Sequence, residues 1–85
     1  MRIVGYIPHP VMKITVFSMN MKYNVKLEMG QMEQTYKISE SDDIKSLEDI
    51  SRLLDDTLLD ECLELFDKMH TNVSGAFKRF SEATK

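Results

Sequence analysis

The chain has 85 residues, 42% of them apolar and 29% charged, with a formal net charge of −3. A chain of this length makes one domain and buries only about 60 to 65 per cent of its unfolded surface, so its core is small. The composition excludes a wholly disordered chain, and the charge balance excludes a global pull toward nucleic acid or an anionic membrane.

The single cysteine, Cys62, excludes an internal disulfide framework. No segment reads as a signal peptide, and no apolar run approaches the roughly 20 residues of a membrane span. These features predict a cytoplasmic protein, with no membrane partner, from a bacterial source. The charge is segregated. Residues 1–39 carry five basic and two acidic side chains, residues 40–67 two basic and eleven acidic, and residues 68–85 four basic and one acidic.

In chain order, "RIVGYI" (residues 2–7) has the β-branched and aromatic content of a short strand. The prolines of "PHP" end it, because each lacks an amide donor and restricts the residue before it. His9 falls in the corner between them. "VMKITVFSM" then alternates, with Met12, Ile14, Val16 and Ser18 on one face and Lys13, Thr15, Phe17 and Met19 on the other. "KYNVKLEM" sets Tyr23, Val25, Leu27 and Met29 against Lys22, Asn24, Lys26 and Glu28. "QMEQTYKI" sets Met32, Tyr36 and Ile38 against Glu33, Thr35 and Lys37. Period-2 runs with one polar face each predict an antiparallel meander over residues 1–39.

Asn20 and Gly30 supply residues that tolerate positive φ at the two hairpin turns. A two-residue turn at Met29-Gly30 would pair Leu27 with Met32 and Tyr23 with Tyr36, all apolar on one face.

An acidic linker over 40–45 leads to a helix over 46–55, where Ser46 and Asp49 have capping-box spacing. Leu47, Ile50, Leu53 and Leu54 form its apolar face. Asp55 to Thr57 mark a break, with Asp56 or Thr57 as the cap of a second helix over 57–83. The fold class predicted is α+β: a four-stranded antiparallel meander, its first strand short, packed on two C-terminal helices of which the second is long. Ile14, Val16, Tyr23, Val25, Leu27, Tyr36, Leu63 and Phe66 are the expected core.

The long helix carries two interlocked apolar rows. One is Leu59, Leu63, Phe66, His70, Val73, Phe77 and Phe80; the other is Cys62, Phe66, Met69, Val73, Ala76 and Phe80. Such a stripe usually faces the core. Here, however, about 27 residues span roughly 40 Å, while a strand of eight residues covers only about 27 Å. About two turns should overhang, carrying Phe77 and Phe80. The alternative is a break at "NVSG", which would fold the last ten residues back. An uninterrupted helix predicts a homodimer with Met69, Val73, Phe77 and Phe80 at its interface. In that dimer the acidic first half of one helix lies against the basic second half of its mate, and Gly75 allows close approach.

Catalytic constellations are weak. His9, Cys62 and His70 form no close ligand pair, because Cys62 and His70 stand two helical turns apart. The carboxylates crowd polar helix faces, and three isolated glycines cannot build a phosphate loop. No enzyme activity, metal or cofactor is expected. The function predicted is a small interaction or adaptor module that binds itself and a further protein. The other reading is a single-strand nucleic-acid binder that uses the polar sheet face, where Lys13, Lys22, Lys26 and Lys37 surround Phe17. The four-strands-then-helix order resembles that of the purine-rich-element-binding repeat, with no motif shared.

Overall fold

The computed structural model describes residues 1–83. Four strands, β1 (Arg2–Ile7), β2 (Lys13–Met19), β3 (Lys22–Met29) and β4 (Met32–Ser39), precede two helices, α1 (Leu47–Leu53) and α2 (Asp56–Ala83). The strands form one antiparallel sheet in the order β1-β2-β3-β4. Both helices cover the same face of it, α1 beside β1 and α2 beside β4. This is the α+β meander that the alternating runs predict.

Period-2 alternation puts Ile14, Val16, Tyr23, Val25 and Leu27 into the core, where Ile7, Met12, Ile50, Leu54, Cys62 and Phe66 join them. Tyr36 and Leu63, also expected in the core, pack against it but are only partly buried. Tyr36 lies on the edge strand, where no further strand covers its flank.

The two hairpin turns differ in chemistry. Between β2 and β3, both loop residues have positive φ, Asn20 at 51° and Met21 at 61°. That is the pattern of a type I′ turn, whose twist matches the strands. Between β3 and β4, only the first loop residue, Gly30, has positive φ, at 63°, as in a type II′ turn. The loop is therefore Gly30-Gln31, not Met29-Gly30. Met29 pairs with Met32, Leu27 with Gln34, Val25 with Tyr36 and Tyr23 with Ile38. The expected pairings of Leu27 with Met32 and Tyr23 with Tyr36 are off by two positions. A slip of two leaves every side chain on its own face, so apolar alternation cannot detect it. The position of the glycine within the turn decides the register.

The register of β1 against β2 shifts between Ile3 and Gly5. This bulge turns Ile3 to the outer face, opposite Phe17, while Val4 packs on the core. Gly5 lies under α1. A Cβ there would come within 2.5 Å of Leu47 Cδ2, so the missing side chain lets α1 approach the sheet.

Helix α1 begins where its cap predicts: Ser46 Oγ accepts from the Asp49 amide at 3.2 Å. The Asp49 carboxylate reaches one residue further back than in a standard capping box, accepting from the Lys45 amide at 3.0 Å, and it also receives the Arg52 guanidinium. These two donors, the Lys45 amide first, hold its carboxyl below the usual range. The cap of α2 is Asp55, not Asp56 or Thr57: its Oδ1 accepts from the Leu58 amide at 2.9 Å, and its carbonyl accepts the first helical bond, from Leu59. Capping needs an extended residue ahead of the first turn. Asp56 and Thr57 are already helical.

Helix α2 runs unbroken through Gly75 to Ala83, so the alternative break at residues 72–75 does not occur. Side chains of α2 pack against the core only as far as Met69. His70 and Val73 still flank the 29–32 hairpin, and the ten helical residues after Val73 project past it, a length of about 15 Å. The overhang is nearly three turns rather than two, because α2 passes the 29–32 hairpin well before its end. The shape records this. The radius of gyration is 16.0 Å with extents of 56 × 26 × 18 Å, whereas a compact chain of this length would have a radius near 12 Å.

Candidate functional site

Three features outside the core could serve function: the projecting part of α2, a cavity at its root, and the outer sheet face.

On the projection, Phe77 is 68% exposed and Phe80 67%, with Val73 at its base 49%. With Ala76 they line an open groove of about 310 Å³ along one side of the helix. Their spacing brings them to that side: at 3.6 residues per turn, positions 73, 76, 77 and 80 fall within about 100° of one another. Met69 stands at the root of the projection and packs partly against the chain's own core. Gly75 does not belong to this stripe. It lies about 200° round the helix from Val73, and the Arg79 side chain approaches it to 3.3 Å from where a Cβ would stand. The small residue that could admit a neighbouring helix is Ala76.

At the root, the β3–β4 hairpin and α2 enclose a cavity of about 520 Å³ lined by Met29, Gly30, Gln31, Met32, Phe66, Asp67, His70 and Val73. Val73 also lines the groove, so cavity and groove form one continuous apolar strip. His70 is exposed at the rim rather than packed. The hairpin's share of this strip was not expected. Met29 and Met32 alternate with the core face and read as gap-fillers, and only the point at which α2 leaves the sheet shows that they stand beside it.

The outer sheet face places Phe17, Asn24 and Lys37 in one cross-strand row, and Thr15, Lys26 and Thr35 in the next. Lys13 pairs with Glu28 and Lys22 with Ser39. Lys26 is held by Glu33 at 3.2 Å and Glu28 at 3.9 Å. Its hydrogen bond to Glu33, with the charge of Glu28 beside it, raises the ammonium above its usual value. Phe17 is only partly exposed. The face has a second aromatic that sequence reasoning missed: Tyr6, opposite Thr15, is exposed, with Ile3 beside Phe17. The signal for Tyr6 was alternation itself, since it precedes the core residue Ile7 and so faces outward; the bulge marked by Gly5 accounts for Ile3.

Compared with known protein families, with curated proteins and with solved structures, the chain matches none.

Among the described residues, no three or more His, Cys, Asp or Glu side chains are grouped to hold a metal ion, and no helix is long and apolar enough to cross a membrane. Cys62 is buried and engaged: its carbonyl accepts from Gln34 Nε2 at 2.9 Å, and its sulfur lies 3.5 Å from the Tyr36 hydroxyl. That contact, together with burial, raises the Tyr36 phenol above its usual value. His9 Nδ1 accepts from the amides of Val11 and Met12, both at 3.1 Å, and so closes the β1–β2 corner. Both of these groups are tied into the architecture.

Proposed function

We propose that the chain is a non-enzymatic interaction module that acts as a homodimer, joined through the projecting part of α2, and that it serves as a small adaptor or accessory subunit of a cytoplasmic, bacterial protein assembly. The observation that carries this reading is the exposure of Val73, Phe77 and Phe80 on one side of an uninterrupted helix that leaves its own sheet. Two phenylalanines two-thirds exposed on one stripe are a poor solution for an isolated chain. Burying each large apolar side chain contributes about 1.5–3 kcal/mol before the cost of association. The test is the Phe77→Glu, Phe80→Glu double variant. It should keep its folded circular-dichroism spectrum and fall to the mass of one chain in light scattering. A variant that stays dimeric contradicts the reading.

A second reading, single-strand nucleic-acid binding by the outer sheet face, is favoured by one observation: Tyr6 and Phe17 share that face with Lys13, Lys22, Lys26 and Lys37. Glu28 and Glu33 oppose it by neutralising Lys26. An oligonucleotide titration at low salt, repeated with Lys22→Glu and Lys26→Glu, separates the two. Salt-sensitive binding lost in the variant selects the nucleic-acid reading.

A further inference from the structure

We propose that the cavity between the β3–β4 hairpin and α2 is the socket for Phe80 of a second copy of this chain, so that the dimer is a twofold exchange of Phe80 side chains and not a contact of helices alone. The inference rests on the homodimer reading above and adds where the two copies hold each other.

Area motivates it. A free aromatic side chain offers about 150–250 Å², so Phe77 and Phe80 at their observed exposure present on the order of 100–170 Å² each. With Val73 and Ala76 the stripe supplies roughly half of the ~800 Å² per partner that a stable interface of standard size buries. The rest must come from surface continuous with the stripe. The cavity is that surface, because Val73 belongs to both.

Position supports it. The cavity meets α2 around His70, and Phe80 lies ten residues further on, about 15 Å along the axis. A twofold axis midway, near position 75, sets two copies of α2 antiparallel. It places Phe80 of each over the His70 end of the other, and Phe77 of each over the other's Val73. An isologous contact makes each of these pairings twice. The cavity, at about 520 Å³, exceeds the ~150 Å³ that suffices for a benzene ring. Met29, Met32 and Phe66 supply apolar walls, and methionine adapts its shape to an aromatic edge.

Charge adds little in this arrangement. The acidic side chains Asp60, Glu61 and Glu64 stay over the chain's own sheet half and do not meet the partner's basic end. With the axis at position 75, Lys78 and Arg79 stand level with positions 72 and 71 of the partner helix, an asparagine and a threonine. Neither basic side chain meets a charge at its own level, so dimer strength should change little with salt.

The test is isotope-filtered NMR on a dimer mixed from methionine-methyl-labelled and phenylalanine-labelled wild-type chains, with sedimentation of the same sample. Intermolecular cross-peaks from the Phe80 ring to the Met29 and Met32 methyls are expected, and Phe80→Ala should weaken the dimer by a factor of roughly 30 or more, as for a centrally buried anchor. A dimer in which Phe80 meets only the partner's Val73 and Phe77 overturns the socket and leaves the homodimer standing. A monomer mass overturns both.

Discussion

The side-chain amide of Gln34 donates to the backbone carbonyl of Cys62 at 2.9 Å, tying the middle of β4 to the second turn of α2. The Tyr36 hydroxyl lies 3.3 Å from Gln34 Oε1 and 3.5 Å from Cys62 Sγ, so three groups close a small polar cluster beside the core. Apolar contact between a helix and a sheet tolerates sliding, whereas a directed hydrogen bond does not. This tie sets where α2 crosses the sheet, and hence how much of it projects.

Gln34→Ala should therefore destabilise the fold by about 1 kcal/mol, read as a lower urea midpoint with an unchanged slope. It should also speed hydrogen exchange in the first half of α2 more than in β2 or β3. Uniform effects on all elements would deny Gln34 its anchoring part.

Met21 sits at φ 61° with its side chain exposed. A left-handed conformation costs a residue with a Cβ about 1–2 kcal/mol, and Asn-Gly is the favoured I′ pair. Met21→Gly should stabilise the protein by about 1 kcal/mol, raising the melting temperature by about 4–8 °C for a chain of this size. A lower melting temperature would show that Met21 makes contacts worth more than its strain.

Asp49 has a folded pKa below its ordinary value, chiefly through the Lys45 amide and then Arg52. A depressed carboxylate adds stability above its unfolded pKa, near 3.9, and that stability is lost as pH falls through the lower folded value. Helix α1 should loosen at that acid step before the sheet does. Asp49→Asn should remove the step from the amide chemical shifts of residues 46–50 in a pH titration; an unchanged titration would contradict the assignment.

Much of this architecture was legible because each level of the sequence agreed. Tyr23, Val25 and Leu27 alternate without interruption, and Asn20 and Gly30 punctuate them where turns require it. Capping chemistry located α1 through Ser46 but put the cap of α2 at Asp56 or Thr57 instead of Asp55, since all three carry a side-chain oxygen able to cap. The register of β4 was misjudged because a two-residue slip conserves faces. The stripe through Val73, Phe77 and Phe80 was legible from its period, and comparing lengths predicted an overhang but not its extent. The cavity at Met29 and Met32 was not legible, because it arises between a hairpin and a helix far apart in sequence. Period-based reading assigns a residue to a face, but not to a neighbour.

A dimer through the projecting helix is the claim on which the functional account stands. Sedimentation equilibrium of the wild-type chain at micromolar concentration tests it most directly. The account predicts a species of twice the 9.9 kDa chain mass, dissociating on dilution and changing little between low and high salt. A soluble particle of one chain mass across that range would contradict it.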